Sequence, residues 1–249
     1  MFEFTNEQRK CFGLPPLADF WDRVTVKPSP YDDFSTIAYL DGNRVQRVLM
    51  ICENGSKIQY QEMQIDAVLS ADRKMLLPKT GKLFSSSNLL KRGAVGMYFC
   101  YVNGYISIKN QTSAQTYYHS AYEDVNLKEF AAFEKWVQAW CASTGEQELR
   151  EIWEFSAAKR IHQKYREGDF FRFRINRSLY GYGRLLIDFE KMRKASIPFW
   201  DIFIGKPLCA AVYHIVTGRD DVSPEELVGL PALPPQMIMD DRFFYGEYA

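Results

Sequence analysis

Read for its apolar spacing, the chain is a run of short period-two segments interrupted by one stretch of helical period. Thr5 with Gln8 three residues on makes a capping box, and Gly13 ahead of Leu14-Pro15-Pro16 is a helix stop, so the pattern predicts a helix over 5–12. Residues 20–26, 35–40, 44–52 and 57–64 are rich in β-branched and aromatic side chains, with turn signals at Asp41-Gly42-Asn43 and Asn54-Gly55 between them. They predict a meander of adjacent antiparallel strands. Residues 71–87, punctuated by Pro78, Gly81 and Ser85-Ser86-Ser87, read as an irregular surface loop. Beyond it, 95–102 and 105–109 flank Asn103-Gly104 as a hairpin, and 116–122 can add another strand.

The period changes at Asn126. With Asn126 as cap and Glu129 three residues on, a helix opens whose stripe is Leu127, Phe130, Phe133, Val137, Trp140 and Cys141. Ser143-Thr144-Gly145-Glu146 ends it and caps a second helix running to about 165, with Leu149, Ile152, Trp153 and Ile161 as its apolar positions. Alternation then resumes after the turn Gly168-Asp169, placing Phe171, Phe173 and Ile175 on one face and Phe170, Arg172 and Arg174 on the other. Gly181 and Gly183 share one face of the return strand, where a bulge, a bend or a close approach needs a missing side chain. Strands are expected at 198–203 and 209–216, a short helix at Ser223-Pro224-Glu225-Glu226, an extended segment at 237–239, and an aromatic tail of Phe243, Phe244, Tyr245 and Tyr248. The expected class is α+β. It comprises a β-rich N-terminal domain of antiparallel hairpins over 1–125, a central αα-hairpin connector over 126–165, and a C-terminal antiparallel sheet or barrel-like domain over 166–249.

Charge adds a local asymmetry that the total hides. The chain of 249 residues balances 31 basic against 31 acidic side chains, which gives no global attraction to nucleic acid or anionic membrane. Residues 158–194 nevertheless carry eleven basic residues against four acids, a net of +7, and residues 216–249 carry two against seven, a net of −5. Such charges either pair within the domain and face solvent or form an interaction surface. The five cysteines are odd in number and widely spaced, as expected for reduced residues of a cytoplasmic protein. The opening residues lack the basic segment and apolar run of a signal peptide, and no apolar run approaches the ~20 residues of a membrane helix.

Signatures of catalysis are missing. The sequence has no Gly-x-Ser-x-Gly elbow, no His-Glu-x-x-His and no Gly-x-x-x-x-Gly-Lys, and His119, His162 and His214 each stand alone. Asp32-Asp33, Asp220-Asp221 and Asp240-Asp241 read as solvated loop carboxylates. Neither an enzymatic activity, a metal site nor a cofactor is expected.

Gly168, Asp169, Phe171 and Ile175, followed by Gly181, Tyr182, Gly183 and Arg184, resemble the signature of the bacterial immunity protein 26 family, whose members pair a Gly-Asp-x-Phe strand with a Gly-Tyr/Phe-Gly-Arg/Gln strand. Further echoes are Phe203-Ile204-Gly205-Lys206-Pro207-Leu208 and Tyr245-Gly246-Glu247-Tyr248. Leu76-Leu77-Pro78-Lys79-Thr80 looks similar to the front end of longer members. The resemblance implies a bacterial, cytoplasmic antidote of a polymorphic toxin system that binds one cognate toxin domain and blocks it. The partner-binding candidates are Arg172, Arg174, Tyr180, Tyr182 and Arg184, with Asp220, Asp221, Glu225 and Glu226 as the other face, favoured if the toxin is a basic nuclease because carboxylates would mimic phosphates. Asp169 is expected to cap a turn. The rival reading is a nucleic-acid-binding module, since Arg172, Arg174 and Arg184 interleave with Phe170, Tyr180 and Tyr182 as in sheets that stack bases and neutralise phosphates.

Overall fold

The computed structural model describes residues 2–30, 33–54, 57–78, 82–123, 125–195 and 205–249. They divide into two compact units, Met1–Lys159 and Arg160–Ala249, each with its own core. The class is α+β, with both sheets antiparallel.

In the N-terminal unit the described residues form a sheet of β1 (Asp22–Thr25), β2 (Ser35–Asp41), β3 (Arg44–Asn54), β4 (Lys57–Gln64), β5 (Ala67–Leu69), β6 (Leu76–Leu77), β7 (Val95–Val102), β8 (Tyr105–Asn110) and β9 (Gln115–His119). The order is β1-β2-β3-β4-β7-β8-β9, with β5 pairing β3 and β6 pairing β5. Four helices accompany it: α1 (Asn6–Cys11), α2 (Ser86–Leu90), α3 (Phe130–Ala142) and α4 (Glu146–Ala157). Thr5 caps α1 through the reciprocal bonds with Gln8 that its spacing predicts. The β7–β8 turn places both Asn103 and Gly104 at positive φ, the geometry whose twist matches that of the flanking strands.

Strand alternation sorts the core into two layers. Ile37, Leu49, Ile51, Tyr60, Phe99 and Tyr101 pack with Phe12 of the α1 end, Phe133 and Trp140 of α3 and Ile152 of α4. Ala38, Leu40, Val48, Met50 and Met63 pack on the other layer with Leu76 and Leu89. Phe133 stacks on Tyr101 at 4.0 Å between ring centres, and the Tyr101 hydroxyl donates to the Leu127 carbonyl at 2.6 Å. The two helices expected as a connector therefore lie against the first sheet, and the chain divides after Lys159.

Three local expectations change. Helix α3 starts at Phe130 with Glu129 at the cap position, while the Asn126 carboxamide accepts from the Lys128 N–H instead. Helix α4 ends at Ala157, leaving Ile161 beyond it; Ile161 and, within the helix, Trp153 are exposed, and only Ile152 of the expected stripe is fully buried. The 71–87 segment contains β6 and the start of α2, anchored by wholly buried Leu76 and by the Thr36 hydroxyl donating to buried Ser86 at 2.9 Å. The Asn54-Gly55 turn and residues 79–81 lie partly or wholly outside the described residues, as does Asp32.

Under α1 lies a buried charge cluster. Arg9 donates from Nε to Glu62 at 2.8 Å, the Tyr60 hydroxyl donates to the other Glu62 oxygen at 2.6 Å, and Arg47 Nε stands 3.7 Å from the same carboxylate. Arg9, Arg47 and Glu62 are 3%, 2% and 0% exposed, so one carboxylate serves two guanidinium groups out of contact with water.

The C-terminal unit is a four-stranded antiparallel sheet among the described residues, ordered β10 (Phe170–Arg174), β11 (Tyr180–Asp188), β12 (Pro207–Val212) and β13 (Gln236–Met239). Helices α5 (Phe189–Lys194), α6 (Pro224–Val228) and α7 (Asp241–Phe244) complete it. The expected strand at 209–216 stops at Val212, and the one at 198–203 falls outside the described residues. The last residues close the outer edge of β10: Arg172 N–H donates to the Ala249 carbonyl at 2.8 Å, and the reverse bond is 3.1 Å. No described helix is long and apolar enough to cross a membrane.

Candidate functional site

The registers of β10 against β11 are Phe171 opposite Gly183, Arg172 opposite Tyr182, Phe173 opposite Gly181 and Arg174 opposite Tyr180. One face buries Phe171, Leu185, Leu208 and Ala210 with Phe243 of α7, and Tyr248 stacks on Phe171 at 4.9 Å. The glycines belong to this face. A Cβ on Gly181 would sit 2.5 Å from the Phe173 ring, and one on Gly183 would sit 2.4 Å from the Phe171 ring and 2.8 Å from the Ala211 carbonyl oxygen. Both rings thus lie across bare backbone, which resolves the glycine pattern as a close approach. The bulge comes two residues later, between Leu185 and Ile187.

The opposite face carries the candidate residues. Tyr182 is 4% exposed, packs with Tyr213 and Leu227, and donates its hydroxyl to the Arg219 carbonyl at 2.8 Å. Arg172 and Arg174 both lie over the Tyr180 ring, each 5.1 Å from its centre, and Arg184 lies 5.1 Å from the centre of Phe170. Arg174 Nη2 also donates to the Tyr180 hydroxyl at 2.9 Å, and Arg184 Nε donates to the Gly168 carbonyl at 3.2 Å. Phe170 in turn stacks on Tyr213 at 6.1 Å with an interplanar angle of 10°. Asp169 holds the entry turn by accepting from the Arg166 N–H at 2.9 Å, as expected.

The basic and acidic sets are brought together by the β12–β13 connection. Arg172 Nη1 meets Asp220 at 3.0 Å. Arg219 meets Asp221 at 3.2 Å and grips Glu226 with two nitrogens at 2.8 and 3.2 Å. The hydrogen bond from Arg219 holds the Glu226 carboxyl below its ordinary range, with the Ser223 cap adding to the effect. Glu225 stands exposed on the same helix. Two charge blocks that look separate in the sequence are thus partly an internal clasp, with Asp220, Asp221, Glu225 and Glu226 forming a solvent-facing ridge over the arginine–tyrosine layer. Arg219 is the residue that sequence reasoning missed. Its signal was its place beside Asp220-Asp221 and seven residues before the third position of a capping box.

This arrangement leaves the aromatic rings of the β10–β11 layer against the protein's own guanidinium groups and rings, not presented as a platform for bases. A depression of about 270 Å³ at the sheet end, lined by Tyr165, Gly168, Asp169, Phe170, Phe171 and Phe243 among others, lies below the usual range of small-molecule sites. No group of three or more His, Cys, Asp or Glu side chains among the described residues is placed to hold a metal.

The C-terminal unit is therefore a four-stranded antiparallel module with one packed aromatic face and one face locked under a charged connection. Residues 166–249 match the family model Immunity protein 26. Comparisons with curated proteins and with solved structures gave no match.

Proposed function

We propose that this chain is a cytoplasmic immunity protein that neutralises a cognate bacterial toxin by stoichiometric binding, with no reaction of its own. The family match carries this reading, because it spans nearly the whole C-terminal unit. The exposed acidic ridge supports a partner with a basic surface, such as a nuclease: carboxylates arrayed above a rigid sheet set up a field that steers a positively charged face into contact. Arg172, paired with Asp220, and Tyr182, bonded to the Arg219 carbonyl, hold the ridge in place, and Arg174, Tyr180 and Arg184 make up the rest of the β10–β11 layer.

Co-expression with the toxin domain encoded by the neighbouring gene tests the proposal. Cells carrying both should survive, and the two proteins should co-purify at a 1:1 ratio. Equal killing with and without this chain would refute it.

The ridge has a kinetic signature of its own. Asp221→Lys with Glu225→Lys is expected to slow association with that domain about tenfold while dissociation changes little, because exposed charges act mainly on the encounter. Stopped-flow mixing at two salt concentrations measures this, and the wild-type rate should fall with salt while the variant's barely moves.

A further inference from the structure

The two edges of the C-terminal sheet are finished differently. Residues 248–249 cover the outer side of β10, whereas no hydrogen bond reaches the outer side of β13 among the described residues. The register fixes which groups are left over. Leu208 faces Ile238, Ala210 faces Gln236, and the Asp240 N–H donates to the Lys206 carbonyl at 3.2 Å. Bonded and non-bonded pairs alternate in an antiparallel ladder, so the backbone groups of Gln236, Ile238 and Asp240 point towards β12 and those of Met237 and Met239 point outwards.

The side chains at those two positions are exposed, Met237 at 54% and Met239 at 42%, and they share one face of the strand. Pro235 on one side and Asp240 on the other confine the open edge to the four residues Gln236-Met237-Ile238-Met239, and within them there is no charge, no proline and no bulge, the devices by which edges usually avoid pairing. Methionine suits a surface that must adapt to an incoming chain, being flexible and polarizable. At its C-terminal end the strand runs into the paired carboxylates Asp240 and Asp241; burial raises the Asp240 carboxyl above its ordinary range, with Lys206 opposing this and Asp241 adding to it.

We propose that β13 is the docking edge for the toxin, which adds an extended strand of its own to this sheet. This rests on the toxin-binding reading above. The incoming strand pairs its backbone with Met237 and Met239, sets apolar side chains at alternate positions against the two methionines, and carries a basic residue that meets Asp240 and Asp241. The acidic ridge lies in the connection that leads into β13, so attraction and docking are served by one continuous segment, 219–241.

Met237→Pro is the direct test, because it removes an outward N–H and leaves the ladder to β12 untouched. Its affinity for the purified domain of the neighbouring toxin gene should fall about 30-fold or more, with the unfolding midpoint of the C-terminal unit retained. The pair Met237→Lys/Met239→Lys should lose affinity similarly, and it serves as the readout if the proline variant unfolds. Wild-type protein that binds the domain while the lysine pair binds it within twofold would overturn the edge assignment and leave the immunity reading standing. Wild-type protein that does not bind would end both. A wild-type dimer that turns monomeric in the lysine pair would give the edge to a second copy of the chain and also overturn the proposal.

Discussion

A chain carrying Glu62→Leu is expected to lose about 3–5 kcal/mol of the stability of its N-terminal unit, the range found when one member of a buried ion pair is removed. The size follows from the arrangement under α1. Arg9 and Arg47 are almost fully enclosed, share Glu62 as counter-charge and already leave Arg9 Nη2 and Arg47 Nε and Nη1 without a hydrogen-bond acceptor. Burial holds the Arg47 guanidinium below its ordinary pKa, so the site accommodates the positive charge at a cost even in the wild type. Removing the carboxylate leaves two charges facing each other and also frees the Tyr60 hydroxyl that donated to it. The triple variant Arg9→Met/Arg47→Met/Glu62→Leu, by contrast, is expected to return close to wild-type stability, because apolar replacements of a whole buried cluster are often neutral or better. Urea unfolding followed by tryptophan fluorescence reads mainly this unit, since four of the chain's five tryptophans, Trp21, Trp136, Trp140 and Trp153, lie in it. A single-variant loss under about 1 kcal/mol would show that the cluster relaxes into water.

Gly183→Ala should destabilise the C-terminal unit by up to about 3 kcal/mol, at the upper end for overpacking by one methyl group. The new Cβ would press on the Phe171 ring at 2.4 Å and on the Ala211 carbonyl oxygen at 2.8 Å, and the second of these is backbone in the neighbouring strand. Phe171 cannot swing aside freely, being enclosed by Leu185, Ala210, Phe243 and Tyr248. Phe171→Leu should recover part of the loss in the Gly183→Ala background but destabilise the wild type, a coupling that a double-mutant cycle measures. Hydrogen exchange resolved along the chain should show faster exchange in β10–β12 and unchanged protection in β2–β4. A uniform change across both units would contradict the steric account.

Much of the fold was legible because its signals are local. The Thr5–Gln8 box, the Asn103-Gly104 turn and the alternation of Phe171 and Phe173 with Arg172 and Arg174 each specify a geometry within a few residues, and each appears where expected. The glycine pair showed that something approaches the backbone, though not that it would be the rings of Phe171 and Phe173 directly across the ladder. The buried cluster left no trace, since Arg9, Arg47 and Glu62 sit on three elements and look like surface charges in their own segments. The candidate site was half visible for the same reason. Residue types gave both charge sets, but the Arg172–Asp220 contact spans 48 positions, and only folding reveals that cations and anions were meant for each other. Helix length failed at α4 because Ile161, an apolar residue that the fold leaves in water beyond Ala157, extended the apparent stripe, and Trp153 within the helix is likewise exposed.

That each core closes within one uninterrupted stretch of sequence has a corollary for how such a molecule changes over generations. A single crossover near Lys159 and Arg160 would exchange one half intact without opening the packing of the other. The C-terminal unit could then be replaced or diversify at its own pace while the larger N-terminal unit stays as it was.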